Sequence, residues 1–358
     1  MTNYYILAIN PGSTSTKIAV YENNKLHYLR NIKHEMDELA HFEKIADQYE
    51  FRKNIIVEQL NEAGIPLDTI SLVMGRGGLL KPVEGGVYTV NEKMIRDIKN
   101  PMGEHESNLG GYIAYEIAKE IGKGVGAYIV DPTCLDEMEE IARISGLPEL
   151  PRRSFLHALN QKAVARRFAR ENGKKYEEMN LIVAHMGGGT SVGAHCKGRI
   201  IDTNNGLNGD GPFSPERTGS LPMGQFAELC FSGKFTHDDI KKKIKGKGGL
   251  IAYLGTNNAV DIEERIEKGD TKAELVYRAM AYQVAKEIGA MATVLKGEVD
   301  AILLTGGIAF GKMIIDEISE RVQHIAPVIT FPGEDEMEAL AFNGYLVLTG
   351  EIEPKDYE

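Results

Sequence analysis

Short apolar runs that end in glycine-rich polar turns recur along this chain. Ile6, Leu7, Ala8 and Ile9 form the kind of run a buried strand makes, broken by Asn10, Pro11 and Gly12. Residues 18–22 and 25–31 read as two more strands joined at Asn23-Asn24. The spacing of Leu39, Phe42, Ile45, Ala46 and Tyr49 predicts a helix over 37–63, with Gly64 as its stop. A buried strand over 70–74 leads into Gly75-Arg76-Gly77-Gly78. Residues 87–90 are a short strand, and Asn91 caps a helix to about Lys99. A helix over 109–121 and a strand over 125–130 follow, the strand ending at Asp131-Pro132. Helices are predicted over 136–145 and 154–171, the second with His157 in its first turn. Between them, 146–153 carries two prolines and is a candidate hinge.

The opening pattern then repeats. LIVAHMGGGTSVGAH, from Leu181, lies over ILAINPGSTSTKIAV, from Ile6, without a gap. Asn10 falls on His185, Gly12 on Gly187, Ser15 on Thr190 and Ala19 on Ala194. A strand–polar turn–strand unit occurring twice, each time followed by strands and helices, predicts two related domains. The second half continues with a glycine-rich loop over 204–224 that contains Arg217. Helices are predicted over 226–232, 236–244, 261–268 and 271–295. A strand over 299–304 meets Thr305-Gly306-Gly307, a helix runs to about Val322, a strand covers 326–331, and a helix over 336–349 closes the chain.

Length and charge narrow the function. The 358 residues suffice for two domains, and 42% hydrophobic with 26% charged residues is an ordinary globular balance. A net charge of −11 argues against a nucleic-acid or anionic-membrane surface. The three cysteines, Cys134, Cys196 and Cys230, form no CxxC pair, which fits a reducing, cytoplasmic protein without zinc or disulfides. The N-terminal stretch lacks the basic flank of a signal peptide. Candidate chemistry lies in the first turn. Ser13, Thr14, Ser15 and Thr16 offer hydroxyls, and Lys17 a cation, which suits a phosphate group. Asn10 adds an oxygen able to hold a hard cation directly or through water. The stretch is not a GxxxxGK[ST] loop.

Seven segments, INPGSTSTK, GRGGLLKPVEGG, SFLHALNQKAVARR, VAHMGGGTSVGAH, SPERTGSLPMG, LLTGGIA and PGEDEMEALA, together resemble the acetate and butyrate kinase family. They stand in the family's order and cover nearly the whole chain. GRGGLL and GPFSPERTGSLPMG resemble the butyrate kinase branch. Where acetate kinases carry a histidine and a valine around the first arginine, this chain has Gly75 and Gly78. Where they carry an asparagine, it has Gly188.

The resemblance implies an α/β fold of the actin-like ATPase superfamily. Two related domains with ribonuclease-H-like βββαβαβα cores would face a central cleft and close on it. Residues 1–150, joined by 336–358, would take the acyl substrate, and 151–335 the nucleotide. The implied reaction moves the γ-phosphoryl of ATP reversibly onto a short-chain carboxylate, with Mg2+, in a homodimer or larger homo-oligomer. Arg76 would hold the carboxylate and the transferring phosphoryl, and Arg217 would meet the same phosphoryl, with His185 as a donor to it, His157 as a further active-site histidine, and Asp131 orienting Arg76 or a metal-bound water. Gly78 and His105 would border the acyl substrate, and Gly78 would widen its pocket. Ser13, Thr14, Ser15, Lys17, Gly187, Gly188 and Gly189 would meet the phosphates. Asn257, Asn258, Thr305, Gly306, Gly307 and Ile308 would meet the nucleoside, and Asn10 and Glu336 the metal.

Overall fold

The computed structural model describes residues 3–100, 105–334 and 336–358. The chain divides into two compact units, one of residues 1–135 and 335–358, the other of 136–334. Each is built around one sheet. The strands are β1 (Tyr5–Pro11), β2 (Ser15–Glu22), β3 (Lys25–Lys33), β4 (Leu72–Arg76), β5 (Val87–Thr89), β6 (Gly126–Val130), β7 (Asn180–Met186), β8 (Thr190–Cys196), β9 (Arg199–Thr203), β10 (Ala301–Gly306), β11 (Val328–Pro332) and β12 (Lys355–Asp356).

The first unit has strand order β12-β5-β6-β4-β1-β2-β3. β1 to β3 form an antiparallel meander, and β4 runs parallel to β1 on the other side. Ile6 to Ile9 are fully buried. The run is apolar throughout because helices cover both faces of the strand. Leu7 and Ile9 join the cluster with Ile56 and Leu60 of the helix Tyr49–Glu62. Ile6, Leu72 and Met74 instead lie against Gly344 of the closing helix Glu336–Leu348. β4 meets the helix Asn108–Ile121 closely. A Cβ on Gly75 would overlap the Gly110 backbone, so the two glycines set the depth of this packing.

The second unit has strand order β11-β10-β7-β8-β9. β7 to β9 form an antiparallel meander, with β10 parallel to β7 and β11 to β10. Every residue of β7 is buried. The long helix Thr271–Val294 covers one face through Val276, Met280, Val284 and Ile288. Ala165 and Ala169 of the helix Ala158–Glu171 cover the other. No helix among the described residues is long and apolar enough to cross a membrane.

Three expectations change. The helix predicted over 37–63 is a short turn at Met36–Leu39, a 3-10 turn at Ile45–Gln48 and a helix at Tyr49–Glu62. The apolar spacing hid the breaks because Phe42 still packs on Phe51, with ring centroids 5.8 Å apart. The helix predicted over 136–145 shrinks to Glu140–Arg143. The preceding residues are extended because Glu137 reaches inward, accepting from Lys162 Nζ at 2.7 Å and from the Ile200 N–H at 2.7 Å. His157 caps the helix Ala158–Glu171 rather than lying in its first turn.

The two meanders also differ in register. β1 and β2 close at Pro11 opposite Thr16, whereas β7 and β8 close at Met186 opposite Thr190. The second turn is one residue shorter, so the gapless overlay holds only as far as the turn. Beyond it, Lys17 corresponds to Ser191, each standing opposite the polar end of the preceding strand, Asn10 or His185. The ladder irregularities agree, falling at Val20/Tyr21 in one copy and Ala194/His195 in the other.

Candidate active site

In the first unit the parallel pairing of β1 and β4 brings Ile9 opposite Gly75, so Asn10 and Arg76 emerge together at the strand ends. Asn10 Oδ1 accepts from Arg76 Nη1 at 3.1 Å, and Asn10 Nδ2 donates to Glu336 Oε2 at 2.6 Å. Glu336 Oε1 lies 3.0 Å from Arg76 Nη2. The three side chains form a closed triangle in which the planar guanidinium fork is fixed at both tips. Glu336 is buried, and the arginine supplies the charge that lets its carboxylate stay there.

The carboxylate that orients Arg76 is therefore Glu336, not Asp131. Asp131 is buried, with φ +39°, and its Oδ1 accepts the Gly86 N–H at 2.9 Å. It pins the end of the loop that follows Arg76. Gly78, expected to widen an acyl pocket, opens no space. A Cβ there would collide with the side chain and backbone of Asn108, whose Oδ1 accepts the Leu79 N–H at 2.6 Å. The missing side chain is replaced by a buried asparagine. His105 pairs its Nδ1 with Ser107 Oγ at 2.8 Å.

The first turn holds Ser13 and Thr14 exposed, with Ser15 half-buried and Lys17 exposed on β2. Beneath it lies a residue that the sequence reading missed. Arg52, fully buried, donates from Nη1 to Gly12 O at 2.8 Å, Ser15 O at 3.1 Å and Thr16 Oγ1 at 3.0 Å. Its Nη2 donates to Ser13 O at 3.3 Å and Gln48 Oε1 at 2.9 Å. A cation thus gathers the carbonyls of the turn and the Thr16 hydroxyl. Burial lowers its pKa to about 10. His34 Nε2 shares Thr16 Oγ1 at 2.8 Å, and burial, with Arg52 nearby, lowers its pKa to about 4. The signal for Arg52 was present. It continues the buried stripe of Ile56 and Leu60 at helical spacing.

In the second unit, His185 ends β7 and is buried. Its Nδ1 lies 2.8 Å from Asn160 Oδ1, and its Nε2 3.3 Å from Glu334 Oε1. Its ring stacks on His157 at 3.9 Å with 14° between planes, and His157 Nδ1 lies 2.9 Å from Ser191 Oγ. The second turn closes with the Gly187 N–H on Gly189 O. A Cβ on Gly189 would overlap the Arg217 guanidinium, so this glycine makes room for an arginine of its own chain. Arg217 Nη1 donates to Gly206 O, and its buried Nε has no partner. Burial lowers its pKa, and Glu216 partly opposes that shift. Among the described residues no carboxylate forms an ion pair with Arg217.

The residues expected at the nucleoside have internal partners. Asn257 Nδ2 donates to Glu216 at 2.7 Å, and Asn258 caps the helix Ala259–Glu267. Thr305 Oγ1 donates to Gly333 O at 3.2 Å, Gly306 exchanges backbone bonds with Gly333, and Ile308 is buried. Gly307 is exposed, with nothing within 4 Å of its would-be Cβ.

The donor set tests the metal expectation. Asn10 Oδ1 and both Glu336 oxygens are engaged within the triangle. Among the described residues no group of three His, Cys, Asp or Glu side chains could hold a metal ion. With these oxygens engaged, the triangle fits a hydrated Mg2+ better than a directly bound one, and Asn10 and Glu336 would be the residues to hold it.

Two mixed sheets, each with a polar turn at the end of its first strand, β1 or β7, make this a mixed α/β fold. The acetokinase family model matches residues 149–328, about half the chain, and the chain belongs to that family. The family's chemistry is ATP-dependent phosphorylation of a carboxylate. Among solved structures the fold is similar to an acetate kinase from Porphyromonas gingivalis, with TM-score 0.79 and 18% identity over 96% of this chain and 100% of that one. It is also similar to a propionate kinase from Francisella tularensis, with TM-score 0.74 and 18% identity over 95% and 98%. An acetate kinase from Entamoeba histolytica gives 0.73 and 16% over 97% and 99%.

Proposed function

We propose that this chain is a butyrate-type acyl kinase, transferring the γ-phosphoryl of ATP in line and reversibly onto a short-chain fatty acid. A carboxylate oxygen forms a bond to phosphorus as the bond to the ADP oxygen breaks. No proton moves, because the nucleophile is already ionised. The chemistry therefore needs positioning and charge neutralisation rather than a base. The observation that carries this reading is Arg217. A largely buried guanidinium with an unpartnered Nε beside a glycine turn is a site that favours an anion.

Arg217 and the His185–His157 pair are assigned to the phosphoryl group, and the second unit to the nucleotide. Arg76, held by Asn10 and Glu336, is assigned to the carboxylate and the transferring phosphoryl, with His105 and the Gly78 loop bordering the carboxylate and Asp131 fixing that loop. Ser13, Thr14, Ser15 and Lys17, with Gly187 to Gly189, are assigned to the phosphates. Gly307 is the member of its loop open to the nucleoside. A Mg2+ held through water by Asn10 and Glu336 would neutralise phosphate charge. Butyrate is preferred on the GRGGLL and GPFSPERTGSLPMG segments alone, since Gly78 no longer supports it. The protein would act in the cytoplasm as a homodimer or larger homo-oligomer.

The test is acyl hydroxamate formation with ATP, Mg2+, hydroxylamine and a panel of acetate, propionate, butyrate and isobutyrate. Butyrate is expected to give the highest kcat/KM. No hydroxamate from any acid would refute the acyl kinase, and a different leading acid would reassign the substrate.

A further inference from the structure

Behind His157 runs a buried chain of hydrogen bonds whose direction is fixed by one backbone carbonyl. Gln161 Nε2 donates to Ser191 O at 3.0 Å. A carbonyl only accepts, so this contact fixes which end of the Gln161 amide points where. Its Oε1 must then face His195 Nε2, 3.0 Å away. Gly193 leaves the space for that oxygen, because a Cβ there would crowd it. His195 Nε2 therefore carries the hydrogen, and its Nδ1 accepts from Tyr176 O–H at 2.7 Å. His195 is fully buried, and desolvation, with Lys162 and Arg166 nearby, lowers its pKa well below the ordinary range, which agrees with a neutral ring.

The other end of the chain reaches His157. The second Gln161 Nε2 hydrogen donates to Ser191 Oγ at 2.9 Å, and the backbone N–H of His157 donates to the same oxygen at 3.3 Å. Both Ser191 lone pairs are thus occupied. Among the described residues the acceptor left for its hydroxyl hydrogen is His157 Nδ1 at 2.9 Å. Ser191 is fully buried, so a hydroxyl donor turned elsewhere would lose its bond without water to replace it.

We infer that Tyr176, His195, Gln161 and Ser191 are a positioning relay that locks His157 as the neutral imidazole with its hydrogen on Nε2. One member of the stacked pair of rings is then held neutral, and Glu334 Oε1 lies 3.3 Å from Nε2 of the other, His185. Two imidazolium rings 3.9 Å apart would repel each other, and the relay prevents that state. The relay makes His157 a fixed N–H donor beside the His185 ring. Its catalytic consequence rests on the phosphoryl transfer proposed above. The tautomer itself does not.

The experiment reads the ring nitrogens directly. Histidine is labelled with 15N in the full-length protein, and His157 is assigned by its loss in His157→Gln. The expected spectrum shows a bare Nδ1 and a protonated Nε2 at neutral pH. Gln161→Glu supplies only acceptors, so the Ser191 hydroxyl turns to it and His157 moves its hydrogen to Nδ1. Ser191→Ala, a smaller change, exposes Nδ1 to protonation, while Ser191→Thr keeps the hydroxyl and restores the wild-type spectrum. With the tautomer lost, kcat is expected to fall on the order of 10²-fold at unchanged KM values, the size of one transition-state donor. A hydrogen on His157 Nδ1 in the wild type, or an unchanged tautomer in both Gln161→Glu and Ser191→Ala, overturns the relay. A changed tautomer with undiminished kcat overturns its positioning role. Absence of kinase activity on every acid would count against the proposed function only, because the spectra do not depend on turnover.

Discussion

The two polar turns stand at equivalent places, after β1 and after β7, and they are organised in opposite ways. The first is the longer by one residue and is organised from beneath. Arg52 draws its carbonyls inward, and the hydroxyl residues Ser13 and Thr14 stay exposed. The second is all glycine and is organised from the side, where Arg217 lies in the space a Gly189 side chain would fill. The polar residue at the strand end follows the same division. Asn10 is neutral and bonded to an arginine and a glutamate, whereas His185 is titratable and stacked on a second histidine. One turn presents groups outward, and the other makes room for an inserted cation.

The largest effect expected from breaking this contrast is at Arg217. Arg217→Ala should cost on the order of 10³-fold in kcat, by analogy with arginine-finger losses. A loss below tenfold in steady-state assays would remove Arg217 from the chemistry. Next come paired glycine substitutions. Gly189→Ala displaces the guanidinium and should cost about 10²-fold, the scale of misplacing a catalytic group by an ångström. Gly12→Ala meets only ordinary contacts with Ser15 and should change kcat little. Equal effects at the two positions would erase the distinction between the turns.

Arg52→Met tests the foundation of the first turn. Leaving several carbonyls and Gln48 without their donor should destabilise the protein by about 3 kcal/mol, read as a lower midpoint in urea. Gly78→Val, which forces a branched side chain into Asn108, should lower stability without shifting the butyrate-to-acetate kcat/KM ratio of the folded protein. A clear shift in that ratio would reinstate Gly78 as a specificity residue.

The smallest effects are in pH dependence, and they have opposite signs in the two units. His34 has a folded pKa of about 4 against an ordinary 6.5, so the unfolded chain binds more protons between those values. Its contribution is present above pH 6.5 and lost as pH falls toward 4. Glu287, on the long helix of the second unit, is raised from 4.5 to about 7 by burial first and by Asp210 and Asp202, against Arg152 and Lys286. There the folded chain binds more protons, so stability declines as pH rises from 4.5 to 7. His34→Gln should flatten the acid limb of a melting-temperature profile, and Glu287→Gln the decline toward neutral pH.

Much of this protein was legible in its sequence. Apolar runs buried on both faces marked β1, β7 and β10, and the turn residues after them marked where polar groups would converge. The family motifs pointed to Arg76, Arg217, His157, His185 and Glu336 before any partner was known. Local pattern suffices there because burial and turn chemistry act on neighbouring residues. It gave no access to distances between residues far apart in the chain. That Glu336 rather than Asp131 holds Arg76, that Asn108 fills the space at Gly78, and that Arg217 fills the space at Gly189 are packing facts between distant segments. The one-residue difference between the turns stayed hidden for a related reason, since a gapless overlay cannot register a change in ladder closure. Arg52 shows the boundary between the two kinds of knowledge. Its helical spacing from Ile56 and Leu60 stands in the sequence, but the burial of that stripe, and the ring of carbonyls that makes a buried cation stable there, belong to the tertiary structure.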